Sequence, residues 1–180
     1  MPQLEIRLLL NAYFERLHDR LWARRTACQT AIDRLLDEEL HRRAFSPLDP
    51  DRRAACREAA HAFLAERLET YDPVGLQYLF DQISAREAFR FEMQMNWYDA
   101  RPEYQRLVET ARGLLADASA ADPHVPLDEP RLGRLADQLI AACGAFPNAS
   151  IIAAYQADPA LNHLPDYLVA RALELLLHTT

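Results

Sequence analysis

The chain contains no lysine: all 20 of its basic side chains are arginine. Schiff-base and lysine-nucleophile chemistry are thereby excluded. Glycine is almost as scarce, with four in 180 residues. No glycine-rich loop can cradle a nucleotide phosphate, no Gly-x-Ser-x-Gly elbow presents a serine nucleophile, and the HExxH zinc motif is missing. The three cysteines, Cys28, Cys56 and Cys143, are far apart and form no CxxC pair, so they supply neither a zinc ribbon nor a disulfide framework. They read as reduced, mostly buried small hydrophobes. Cys56, beside Arg52, Arg53 and Arg57, is the candidate for a reactive thiol, because thiolate chemistry needs an electropositive setting.

Long apolar runs are also missing. No stretch approaches the roughly 20 apolar residues of a membrane span, and the first apolar segment carries Glu5 and Arg7 where a secretory signal would be uncharged. The expectation is a soluble, cytoplasmic protein without membrane contact. A formal net charge of −7 disfavours general binding to a phosphate backbone, so nucleic acid is an unexpected partner. Local basic groups exist nonetheless: Arg20, Arg24 and Arg25 in the first helix, and Arg42, Arg43, Arg52 and Arg53 around the first turn. On an acidic chain these read as surface groups paired with carboxylates.

What is plentiful is proline, at 11, and it falls between apolar periodic segments rather than inside them. Asp49-Pro50, Asp72-Pro73 and Asp158-Pro159 each set a capping carboxylate before a residue whose φ already suits the first helical turn. Between Pro2 and Pro47 there is neither glycine nor proline, and Leu10, Phe14, Leu17, Leu21, Cys28, Ala31 and Leu35 recur at spacings of three, four and seven. That predicts a long amphipathic helix, bent or broken once. A second helix from about Pro50 to Tyr71, with Ala55, Ala59, Phe63 and Leu68 inward, returns along it as an antiparallel hairpin. Further helices are predicted from about Pro102 to Ala118, Asp128 to Ala145, Ser150 to Ala157 and Pro165 to His178. The loop 119–127 is the candidate hinge within a single domain spanning 1–180.

The segment from Pro73 to Tyr98 reads two ways. Phe89, Phe91, Met93, Met95 and Trp97 alternate with polar residues, the period of a half-buried strand, and a small two-stranded element involving 88–98 would make the chain α+β. Read as a helix, the same residues form two apolar faces. Glu, Gln, Met and Arg favour the helix. The fold expected is therefore all-α: one helical bundle of six to seven helices.

The sharpest chemical pattern is Glu-x-x-His, present as Glu15/His18, Glu38/His41 and Glu58/His61. Three-residue spacing sets carboxylate and imidazole on one helix face, as in four-helix proteins that hold two iron or manganese ions. His18, between Phe14 and Trp22, and His61, one turn before Leu64, are best placed to reach a core. A metal set would comprise Glu58, His61, His18 and Glu92. The other candidate is the stretch Phe89, Phe91, Met93, Met95, Trp97 and Tyr98, as a partner interface or as the lining of a small apolar-ligand pocket. No complete catalytic set exists. The leading expectation is a non-enzymatic, cofactor-free, protein-binding helical module of the adaptor, regulator or chaperone-like kind, self-associating as a homodimer. The alternatives are a metal-binding bundle using Fe or Mn and an apolar-ligand binder.

Overall fold

The glycine- and proline-free stretch that opens the chain forms two helices, α1 (Pro2–Trp22) and α2 (Arg25–Arg42), in a computed structural model that describes residues 2–42, 48–71 and 100–179. The helix breaks at Ala23 and Arg24, where the Arg24 N–H reaches back only to the Leu21 carbonyl, 3.1 Å away. The remaining described helices are α3 (Pro50–Thr70), α4 (Arg101–Ala121), α5 (Glu129–Cys143), α6 (Asn148–Ala157) and α7 (Leu164–His178), the last preceded by a single 3-10 turn (Leu161–His163). The fold is an all-α bundle, with no strand among the described residues. The alternating stretch 88–98, on which the α+β alternative rested, lies outside them.

Several helix starts follow the local chemistry. Asp49 accepts from the Arg52 N–H at 2.8 Å and Asp128 from the Arg131 N–H at 3.0 Å, each ahead of a proline in the first turn. Such a cap is worth about 1 kcal/mol. Asp158-Pro159 behaves differently, for Asp158 ends α6 and the next α-helix begins only at Leu164. The expected loop at 119–127 is shorter than its composition suggests. Residues 119–121 continue α4, and buried Arg131 ties the remainder down by donating to the carbonyls of Ala118 (2.6 Å) and Val125.

The hairpin forms where expected. Asp33 pairs with Arg57 at 2.8 Å and Asp37 with Arg53, so α3 runs antiparallel to α2, and its end brings Tyr71 onto Phe14 of α1 with ring centroids 6.1 Å apart. The inward stripe of α3 is shifted from the one expected, however. Ala60, Leu64, Arg67 and Leu68 are buried, while Ala55 and Ala59 are exposed. Alanine contributes little to a hydrophobic stripe, so the leucines set the rotation of the helix.

Among the described residues α7 is the central helix, packed by α2, α3 and α6. Leu164, Leu168, Val169, Ala170, Ala172 and Leu173 are fully buried. Truncating any one of these leucines to alanine costs about 2–5 kcal/mol. The most apolar described stretch, 129–157, is not one helix: the loop between Cys143 and Asn148 divides it into segments of 15 and 10 residues that pack into the core.

Candidate functional site

The histidines expected to bind metal are used separately. His18 stacks on Trp22 (centroids 5.7 Å apart, 13° between planes), and Arg25 covers the same indole at 4.7 Å. His61 hydrogen-bonds Asp33 at 3.1 Å, and Glu58 is exposed. Among the described residues no three His, Cys, Asp or Glu side chains gather as a metal set. Glu92 lies outside the described residues, as do Phe89, Phe91, Met93, Met95, Trp97 and Tyr98.

Cys56 is half-buried, and burial raises its pKa, which lowers its thiolate fraction. The neighbouring cations Arg53 and Arg57 are engaged by Asp37 and Asp33. Cys28 is fully buried and its thiol is pushed up to about 11.

The basic groups of the first helices likewise have structural duties. Arg20 binds Asp137 at 2.6 Å, Arg25 donates to the Trp22 carbonyl at 3.1 Å, and Arg24 donates to the carbonyls of Leu176 (2.6 Å) and Thr179 (2.7 Å) at the end of α7. Cations at a helix C-terminus satisfy its open carbonyls and favour its dipole. Arg106 does the same for α5 at Ala142, and Arg131 is a second donor to the Ala118 carbonyl of α4, which also accepts from the Asp122 N–H at 3.0 Å.

The densest polar constellation surrounds the buried loop 144–148, whose Phe146-Pro147 peptide is cis. Backbone groups inside a core must find partners, and four helices provide them. From α1, the Tyr13 hydroxyl donates to the Gly144 carbonyl at 2.5 Å and accepts from the Phe146 N–H at 3.0 Å. From α3, Tyr71 donates to the Phe146 carbonyl at 2.6 Å, while Arg67, 1% exposed, donates to Tyr71 and, at 2.6 Å, to the Asn148 side-chain carbonyl. From α7, Glu174 accepts from the Ala145 N–H (2.8 Å) and the Asn148 amide (2.9 Å), and its other oxygen meets His178 at 3.2 Å. From α4, Glu103 accepts from the Ala149 and Ser150 N–H groups at 3.3 and 2.7 Å, capping α6 where its own N-terminal residues offer no side-chain cap.

Burial raises the pKa of Tyr13, Tyr71 and Glu103. Such shifts also mark catalytic sites, but among the described residues the constellation encloses little space. The cavity beside Tyr13, Glu103 and Cys143 measures about 10 Å³, space for one water at most. The constellation is a fastening that joins α1, α3, α4 and α7 to one loop. None of its members belongs to a motif in the sequence. The available signal was Gly144 and Pro147 bracketing Ala145-Phe146, with tyrosine at two otherwise apolar positions.

Room exists instead on the outer seam between α2 and α7. At one end a groove of about 340 Å³ is lined by Ala27, Thr30, Ala31, Arg34, Leu175 and Leu176, with Leu175 39% exposed. At the other, about 230 Å³ lies among Glu38, His41, Arg42, Tyr167 and Arg171 above the buried carboxylate of Glu39, which pairs with Arg42. The two helices run antiparallel along this seam, since Arg24 meets Thr179 and Arg42 meets Tyr167. Compared with family models, curated proteins and solved structures, the chain finds no match.

Proposed function

We propose that this protein is a non-enzymatic, self-associating protein-binding module that works through the α2/α7 seam. The observation that carries the reading is the open groove at Ala27, Ala31 and Leu175, an apolar surface shaped for another protein's side chains. The contrast with the interior supports it: the polar groups that resemble an active site are engaged with backbone and leave a cavity of about 10 Å³. Binding modules use apolar anchors framed by polar groups, and the seam has both, with Leu175 at one end and Glu38 and Arg171 at the other.

The test is light scattering coupled to size-exclusion chromatography over a concentration series. The mass is expected to rise above the 20.6 kDa of one chain, and Leu175→Asp is expected to suppress the rise without lowering helicity. A chain that stays monomeric throughout the series would refute self-association.

A further inference from the structure

We infer that the seam's occupant is a second copy of this chain, docked about a two-fold axis running along the seam, so that α2 of each copy lies over α7 of the other. The inference rests on the proposed binding role and specifies its partner and geometry. Because α2 and α7 are antiparallel, each groove fixes which residues share a level: Ala27, Thr30 and Ala31 lie level with Leu175, and Glu38 lies level with Arg171. A two-fold axis along the seam preserves those levels while exchanging the helices. Leu175 of each copy then enters the other's Ala27/Thr30/Ala31 groove, where small side chains leave room for it. At the far level, Arg171 of each copy meets Glu38 of the other.

The charges suit that exchange. Arg171 is exposed and has no ion pair among the described residues, whereas most of the other described arginines are held by acids or carbonyls. Glu38 is 62% exposed and its contact with Arg34 is loose, at 3.7 Å. Each interface of this isologous kind makes every contact twice, so one unpaired cation and one loosely held anion become two intermolecular pairs. The size of the seam sets the strength. Its 18-residue α2 is about 27 Å long, and two helices side by side span about 20 Å, giving roughly 500 Å² per copy and about 1,000 Å² in all, the low end for a specific interface. The dimer is therefore expected to be concentration-dependent rather than obligate.

Charge reversal provides the test, read by sedimentation equilibrium. Arg171→Glu alone and Glu38→Arg alone each place like charges opposite one another, and each is expected to weaken dimerisation at least about tenfold. Mixing the two variants restores both pairs, because one copy is then acidic at both positions and the other basic at both; a heterodimer is expected to form with near wild-type affinity. That recovery also shows that both variants are folded. A wild-type dimer whose association is unchanged by either reversal, or a mixture that fails to recover, overturns the inference while leaving self-association standing. A wild-type chain that never exceeds one mass overturns both.

Discussion

Two glycine-to-alanine substitutions are expected to move stability in opposite directions. Gly144 follows α5 at φ 68°, ψ −155°, a region reserved almost entirely for glycine and costing other residues about 1–3 kcal/mol. A β-carbon there would also lie 2.5 and 2.7 Å from the two carboxylate oxygens of Glu174. Moving that carboxylate strips the Ala145 N–H and the Asn148 amide of their acceptor, and a buried donor left unsatisfied costs about 1–3 kcal/mol. Gly144→Ala is therefore expected to lose about 3–5 kcal/mol, a fall in Tm of roughly 10 °C for a chain of this length.

Gly113, in the middle of α4, has open space where its β-carbon would be. Alanine there stiffens the unfolded chain and suits the helix, so Gly113→Ala should gain about 0.5–1 kcal/mol. Urea unfolding followed by far-UV circular dichroism measures both. A Gly144→Ala variant within about 1 kcal/mol of wild type, below the usual cost of a strained or unsatisfied site, would refute the assignment of loop 144–148 as the fastening of the bundle.

Three further expectations follow from the same structure. Tyr13→Phe keeps the ring but leaves the Gly144 carbonyl and the Phe146 N–H without their shared partner, so chemical denaturation should show a loss of about 2–4 kcal/mol; a loss under half of that would mean that water or another group replaces the hydroxyl. Asp33 has its pKa lowered, chiefly by the hydrogen bond from Arg57. A depressed carboxylate adds stability above its unfolded pKa and loses it as the pH falls through the folded value. The gap between wild type and Asp33→Asn should thus be complete at pH 7 and close below about pH 3.9, and a gap that persisted unchanged at pH 2 would contradict the ion pair. In the folded protein, Cys28 should resist a chromogenic disulfide reagent until the chain unfolds, and Cys56 should react more slowly than a free thiol, since burial raises both; rapid modification of Cys56 at neutral pH would show a thiolate that the structure does not favour.

Helix existence was legible wherever period and punctuation agreed. The Asp-Pro starts at Asp49 and Asp128 carry their own mechanism in adjacent residues, and the apolar stripe Leu10, Phe14, Leu17, Leu21 is buried as its spacing requires. Rotation of α3 was less legible because Ala55 and Ala59 weigh little against Leu64 and Leu68. The Glu-x-x-His pairs show a different limit. Three-residue spacing sets two groups on one face but says nothing of which way that face points, and Glu58 points to solvent. The loop at 144–148 was hidden for a third reason: its partners Tyr13, Arg67, Glu103 and Glu174 come from four helices distant in sequence, and no local pattern connects them.

The arginine-bound end of α7 carries a consequence for how this chain becomes ordered. A glycine C-cap stops a helix by local backbone conformation, so the stop is present before any tertiary contact forms. α5 has such a stop in Gly144, whereas α7 ends without a glycine and has its terminal carbonyls held by Arg24, from the sequence-distant break between α1 and α2. Where such a helix ends is then decided by assembly of the bundle rather than by its own residues. Fragments containing α7 without Arg24 should fray at Leu176, so that the end of α7 and its packing are fixed together.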